Sequence, residues 1–145
     1  MDIQLKISGD TQKRIDQAVK TIPEHIKMAV RNATSYLEVK IVENTPIGKS
    51  RTKGGLHGSW HDKVSGFQGM IYTDKHYAIY VHEGTRPHII RPKNGRALMW
   101  PGAPHPYRMV HHPGTKANPF VTRTLDQQRK AIEEYFIRAM DQSIQ

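Results

Sequence analysis

Nine histidines stand in this 145-residue sequence, and eight of them fall between His57 and His112. Imidazole can act as a general base near neutral pH or as a metal ligand. A zinc site needs three or four ligands converging at about 2 Å, and His82, His88, His111 and His112 lie at the ends of strand-like runs that could meet in space. Neighbours on a strand point to opposite faces, so at most one of His111 and His112 joins a shared site easily. No carboxylate-rich motif accompanies them. Nucleophilic and phosphate-binding chemistry has less to work with. The sequence contains no cysteine, which removes thiolate nucleophiles, Cys-type zinc sites and a disulfide framework. There is no Gly-x-Ser-x-Gly elbow, and Gly48, Gly54, Gly55 and Gly58 form neither a P-loop nor a dinucleotide fingerprint. The expectation is a protein with no catalytic residues, no metal and no cofactor.

Charge is the other chemical signal. The formal net charge is +9, and residues 46–130 hold fourteen Lys and Arg against four Asp and Glu. A basic middle attracts polyanions, nucleic acid above all, although the same surplus also fits a solvated face. No apolar run reaches the roughly 20 residues of a membrane span, and MDIQLKISGD lacks the basic-then-apolar order of a secretory signal. A soluble chain made in the cytoplasm, with no membrane partner, is expected. Its length suits one domain with one core.

The elements that position these groups follow from periodicity. Ile3, Leu5 and Ile7 alternate with polar residues and predict a short strand. Asp10 or Thr11 can cap a helix with Ile15, Val19 and Ile22 on one face, kinked or briefly broken at Pro23. Ile26, Val30, Ala33, Leu37 and Ile41 continue a helical stripe that must end before Thr45-Pro46. Residues 46–58, PIGKSRTKGGLHG, are too polar and glycine-rich to order themselves and predict a mobile loop in the free subunit. The runs Ser59–Val64, Gly69–Thr73 and Tyr77–Val81 predict successive antiparallel strands. His88-Ile89-Ile90, Ala97–Trp100 and Tyr107–Val110 add short runs whose prolines imply edge strands and rigid turns. In Glu83-Gly84-Thr85-Arg86-Pro87 a turn is expected, with Gly84 at positive φ and Glu83 pairing locally with Arg86. Val121, Leu125, Gln128, Ile132, Tyr135 or Phe136, and Ala139 mark a final helix starting from Asn118-Pro119. The fold class is therefore α+β, an antiparallel sheet flanked by a long N-terminal and a C-terminal helix.

Two resemblances bear on these residues. VHHPGTKANP is faintly similar to the His-His-Asn nuclease motif, in which one His activates water beside a metal ion. The later metal-binding His of that motif is absent, since no histidine follows His112. More extensively, YAIYVHEGTRPHIIRPKNGRALMWPG and VHHPGTKANPFVTRTL, with the upstream TPIG and GGLHGSW, resemble the tail-completion or neck protein family of long-tailed bacteriophages. Tyr77, Ala78, Tyr80, Val81, Glu83, Gly84 and Thr85 match a Tyr-Ala-x-Tyr-Val-Glu-x-Gly-Thr motif, with His82 displacing Glu83 by one place. His112, Pro113, Gly114, Thr115, Pro119 and Phe120 match a His-Pro-Gly-Thr-x-x-x-Pro-Phe motif. Gly48-Lys49-Ser50-Arg51 departs from the family's usual Asp-Thr-Gly loop, and Lys53-Gly54-Gly55 has the look of an insertion. The resemblance spans residues 36–125.

It implies a structural subunit that assembles with itself into a hexameric ring at the phage neck, between the head connector or stopper protein and the tail tube or tail terminator. DNA would pass nonspecifically through the lumen. Lys49, Arg51, Lys53, Lys93 and Arg96 are the candidates for a DNA-facing or assembly surface, because a channel needs diffuse positive charge that does not grip base edges. The sequence leaves joining and termination of the tail equally open. The rival from another class is a metal-dependent nuclease using His82, His111 and His112, and a third is a free nucleic-acid-binding module.

Overall fold

The structure, a computed structural model, describes residues 8–47, 55–93 and 95–144. The strand expected at Ile3, Leu5 and Ile7, and the cations Lys49, Arg51 and Lys53, lie outside the described residues. The chain divides into two compact units, Met1–Lys75 with Phe120–Gln145, and His76–Pro119. No helix among the described residues is long and apolar enough to cross a membrane.

The first unit is built on α1 (Gly9–Asn44) and α3 (Phe120–Ile144). Ser8, not Asp10 or Thr11, caps α1; its hydroxyl accepts the Thr11 N–H at 3.3 Å and satisfies one of the helix's orphan donors. The break expected at Pro23 does not occur, and the helix runs through it. Proline removes one helical hydrogen bond, and two residues on His25 meets Ser143 of α3. The other end falls where expected: Thr45, ahead of Pro46, is extended at φ −70 and ψ 127.

Three contacts fix α1 and α3 as antiparallel. His25 Nδ1 lies 2.7 Å from Ser143 Oγ, the Tyr36 hydroxyl donates to Gln128 Oε1 at 2.6 Å, and the Tyr36 and Tyr135 rings are 5.8 Å apart. The seam is made of small residues, Ala29, Ala33, Ala139 and Ser143 among them, so the backbones can approach closely. Buried hydroxyls are tolerated there because each bonds a carbonyl one turn back: Thr34 to Val30, Thr124 to Phe120 and Ser143 to Ala139, at 2.6, 2.7 and 2.8 Å.

Against α1 packs a hairpin of β1 (Trp60–Ser65) and β2 (Gln68–Thr73), antiparallel from Trp60↔Thr73 to Ser65↔Gln68. Gly66, at φ 58, supplies the left-handed residue of its turn. Gly69 is needed for a different reason. A Cβ there would collide with the Thr34 hydroxyl, so α1 and β2 come together only because that position is bare. Leu56 is buried by a single 3-10 turn at Leu56–Gly58, which orders the end of the stretch expected to be a loop. Phe120, with no exposed surface, meets the Trp60 ring edge-on at 6.1 Å.

The second unit contains α2 (Ala78–Glu83), β3 (His88–Ile90) and β4 (Val110–His112). Tyr77–Val81, expected as a strand, is instead one and a half turns of helix, with the Tyr77 carbonyl accepting the N–H groups of Tyr80 and Val81 at 3.0 and 3.2 Å. Short aromatic and β-branched runs carry no decisive period; here Ala78, Val81 and His82, at helical spacing, are half-buried, and Ile79 and Tyr80 are exposed. Ala97–Trp100 forms no strand either, contributing a single bridge, Leu98↔Tyr107. The class is α+β as expected, with two separate two-stranded sheets in place of one larger sheet. All four strands are therefore edges, in keeping with the proline-rich surroundings of the second pair.

Candidate interaction surface

The stretches beginning at Tyr77 and at His112 are separated in sequence by the residues between Thr85 and His112; within the second unit they lie side by side. Thr85 and Thr115 exchange both backbone hydrogen bonds, at 2.9 and 3.0 Å, and three residues on His88 pairs with His112 to start the β3–β4 ladder. In the register between those pairs Pro87 falls opposite Pro113, and neither can donate, which explains the gap in the ladder. Asn118 N–H closes the far end by donating to the His82 carbonyl at 3.0 Å.

Gly84 and Gly114 make this crossing possible. Both are left-handed, at φ 76 and 88. A Cβ on Gly84 would strike the Thr115 carbonyl oxygen, and one on Gly114 would strike that of Thr85. Each glycine thus clears space for the other stretch's threonine, and the positive φ expected for Gly84 has its cause in this contact. Gly84 also terminates α2 in the manner of a helix-ending glycine. The local Glu83–Arg86 ion pair is absent from the salt bridges of the described residues, which are Lys27–Glu24, Lys40–Glu43, Lys75–Asp74 and Arg138–Glu134.

His88 and His112 stack with centroids 4.9 Å apart, and hydrogen bonding sets their tautomers oppositely. His88 Nδ1 lies 2.9 Å from the Arg86 carbonyl, so it must carry the proton. His112 Nδ1 accepts the Gly114 N–H at 3.0 Å, so it cannot, and its proton is on Nε2. A metal at His112 Nε2 would require the proton to move to Nδ1, against the Gly114 donor. His111, paired with Ile89, faces the other side of the ladder. Among the described residues no group of three or more His, Asp or Glu is placed to hold a metal ion.

The remaining motif residues divide between the units. Tyr77 and Glu83 bound α2, Tyr80 is exposed, and Pro119 precedes α3. Phe120 is core to the first unit. Lys93 and Arg96 are exposed in the second.

What sequence reasoning missed is an apolar groove of about 260 Å3 lined by Ile90, Leu98, Met99, Trp100 and Val110. Beside it Trp100 stacks on Tyr107 at 5.2 Å, and Tyr107 on His105 at 4.3 Å. Its sequence signal is residues 91–108, which carry Arg91, Lys93, Arg96 and Arg108 and no Asp or Glu around an apolar run. Among the described residues of the second unit none is buried, while Tyr77, Ile79, Tyr80, Ile89, Ile90, Met99, Trp100 and Met109 are 37–69% exposed. The chain matches no protein-family model, no curated protein and no solved structure. Its own geometry therefore has to carry the functional reading.

Proposed function

We propose that this chain is a non-catalytic structural subunit that works by assembling with copies of itself into a ring, at the neck of a phage or prophage particle. The observation that carries the assembly reading is the second unit. Large apolar side chains normally disappear into a core, yet this unit presents eight of them to solvent on a backbone held firmly by its glycine crossing. Four of the side chains around its apolar groove, Ile90, Leu98, Met99 and Trp100, lie together, and a groove on a backbone so held is suited to a partner of fixed shape.

The phage setting rests on the resemblance of the Tyr77–Thr85 and His112–Phe120 stretches to tail-completion proteins. Their adjacency in space supports reading them as one motif. In that setting the ring, a hexamer, joins the head connector or stopper to the tail tube in the assembled virion, after folding in the host cytoplasm. Tail termination is the alternative role at the same boundary. Lys93 and Arg96 are available either to DNA in the lumen or to an acidic neighbour. The nuclease reading has less support, because His112 donates no lone pair at Nε2 and His111 faces away from it.

Particles made without the subunit test this reading. Filled heads and finished tails left unjoined would support a joining role, and tails of uncontrolled length a terminating one. Normal infectious particles, or cleavage of DNA by the purified protein that EDTA abolishes, would overturn it.

A further inference from the structure

Resting on the assembly reading, we infer that the apolar groove of the second unit is filled by the outward face of α3 from a second copy of this chain. The occupant is identified by charge and by complementary apolar exposure.

The segments that join the groove's lining residues are basic. Ile90, Leu98 and Val110 line it, and the segments joining them carry exposed Arg91, Lys93, Arg96 and Arg108. No carboxylate occurs between residues 91 and 108. A partner must therefore bring both apolar side chains and negative charge.

The last four or so turns of α3 offer that combination. Residues 131–144 hold Glu133, Glu134 and Asp141 against Arg138 alone, whereas the chain as a whole is +9. Glu134 is already paired with Arg138 at 3.0 Å, while Glu133 and Asp141 have no ion-pair partner among the described residues. At 100° per residue Glu133, Ile137, Met140 and Asp141 share one face. It is a different, exposed sector of the helix from the one that holds the buried and half-buried Ile132, Tyr135, Phe136, Ala139 and Ser143. Ile137 is 58% exposed and Met140 39%. The strip is acidic at both ends and apolar in the middle, and the groove is apolar, with its lining residues joined by basic segments.

Because strip and groove are different patches, the contact is head-to-tail, the kind that closes into a ring when its rotation permits. Lys93 and Arg96 are thereby assigned to the joint between copies and not to the lumen.

Charge reversal tests this on the full-length chain, since all four residues are exposed and outside the core. Glu133→Lys with Asp141→Lys makes one variant, and Lys93→Glu with Arg96→Glu the other. By sedimentation velocity at low salt, wild type should assemble, and each variant alone should need on the order of tenfold or more higher concentration to do so. An equimolar mixture should recover assembly, because each variant's strip then faces a groove of opposite sign. If both variants assemble like wild type, or the mixture fails to recover, the strip-groove contact is wrong although self-assembly stands. A wild-type chain that stays monomeric at every concentration overturns both.

Discussion

The helical unit and the histidine-rich unit are stabilised in different ways. In the first, Phe120 and Thr124 are wholly buried and Ala29 and Ile41 are 3% exposed, beside an apolar pocket of about 390 Å3 that α1, α3 and the hairpin line together. In the second no described residue is buried, and order comes from backbone: two left-handed glycines, paired threonines and a three-rung ladder. One unit has a core of its own, whereas the other has no buried residue among those described, although both expose large apolar side chains. The difference teaches that order and burial can be separated.

Phe120→Ala should have the largest effect. Removing the ring leaves a cavity beside Trp60 and should cost about 3–5 kcal/mol of stability, read as a lower denaturant midpoint of the helical signal. Gly84→Ala comes next and should reverse the pattern. The left-handed conformation alone costs roughly 1–2 kcal/mol in a residue with a Cβ, and the collision with Thr115 adds to it. Faster amide exchange at Thr85 and Thr115 is expected, with assembly weakened and the helical transition little changed. A lost helical transition would mean that the two units do not behave differently.

Gly69→Ala brings the first unit's one bare contact into play. Overpacking against Thr34 should cost about 1–3 kcal/mol, and Thr34→Ala in the same chain should recover most of it. A double variant no better than Gly69→Ala would place the strain elsewhere. His112→Ala leaves the Gly114 N–H without its acceptor and should destabilise the β3–β4 end by about 1 kcal/mol, seen as faster exchange of the Gly114 amide. The smallest effect belongs to Asp74. Lys75 donates to its carboxylate and holds its pKa below the ordinary 3.8. A depressed acid stabilises the fold above its unfolded value and loses that contribution as pH falls through the folded value. The pair is exposed, so Asp74→Asn should lose only a small contribution at neutral pH, and its difference from wild type should vanish as pH falls below about 4.

The helices were legible because their signals are long. The stripe from Ile26 to Ile41 and the Thr45-Pro46 stop read directly from spacing, and so did β1 and β2. Tyr77–Val81 was not legible, since five aromatic and β-branched residues fit either a strand or a helix and the deciding contact, Gly84 against Thr115, is thirty residues away. At Pro23 a kink and a brief break were both open from sequence, and the helix is unbroken there. Of the candidate site, both glycine-containing motifs were visible, but their crossing was not. The groove escaped notice because its lining comes from three short runs, each too irregular to suggest a surface.

Amide hydrogen exchange across a concentration series tests most directly whether copies of the chain complete the second unit. Protection in residues 88–112 should rise with concentration in step with the formation of particles much heavier than 16.6 kDa, while protection in α1 around the buried Ala29 and Ala33 stays constant. Strong protection of 88–112 in a monomer, unchanged on dilution, would contradict it.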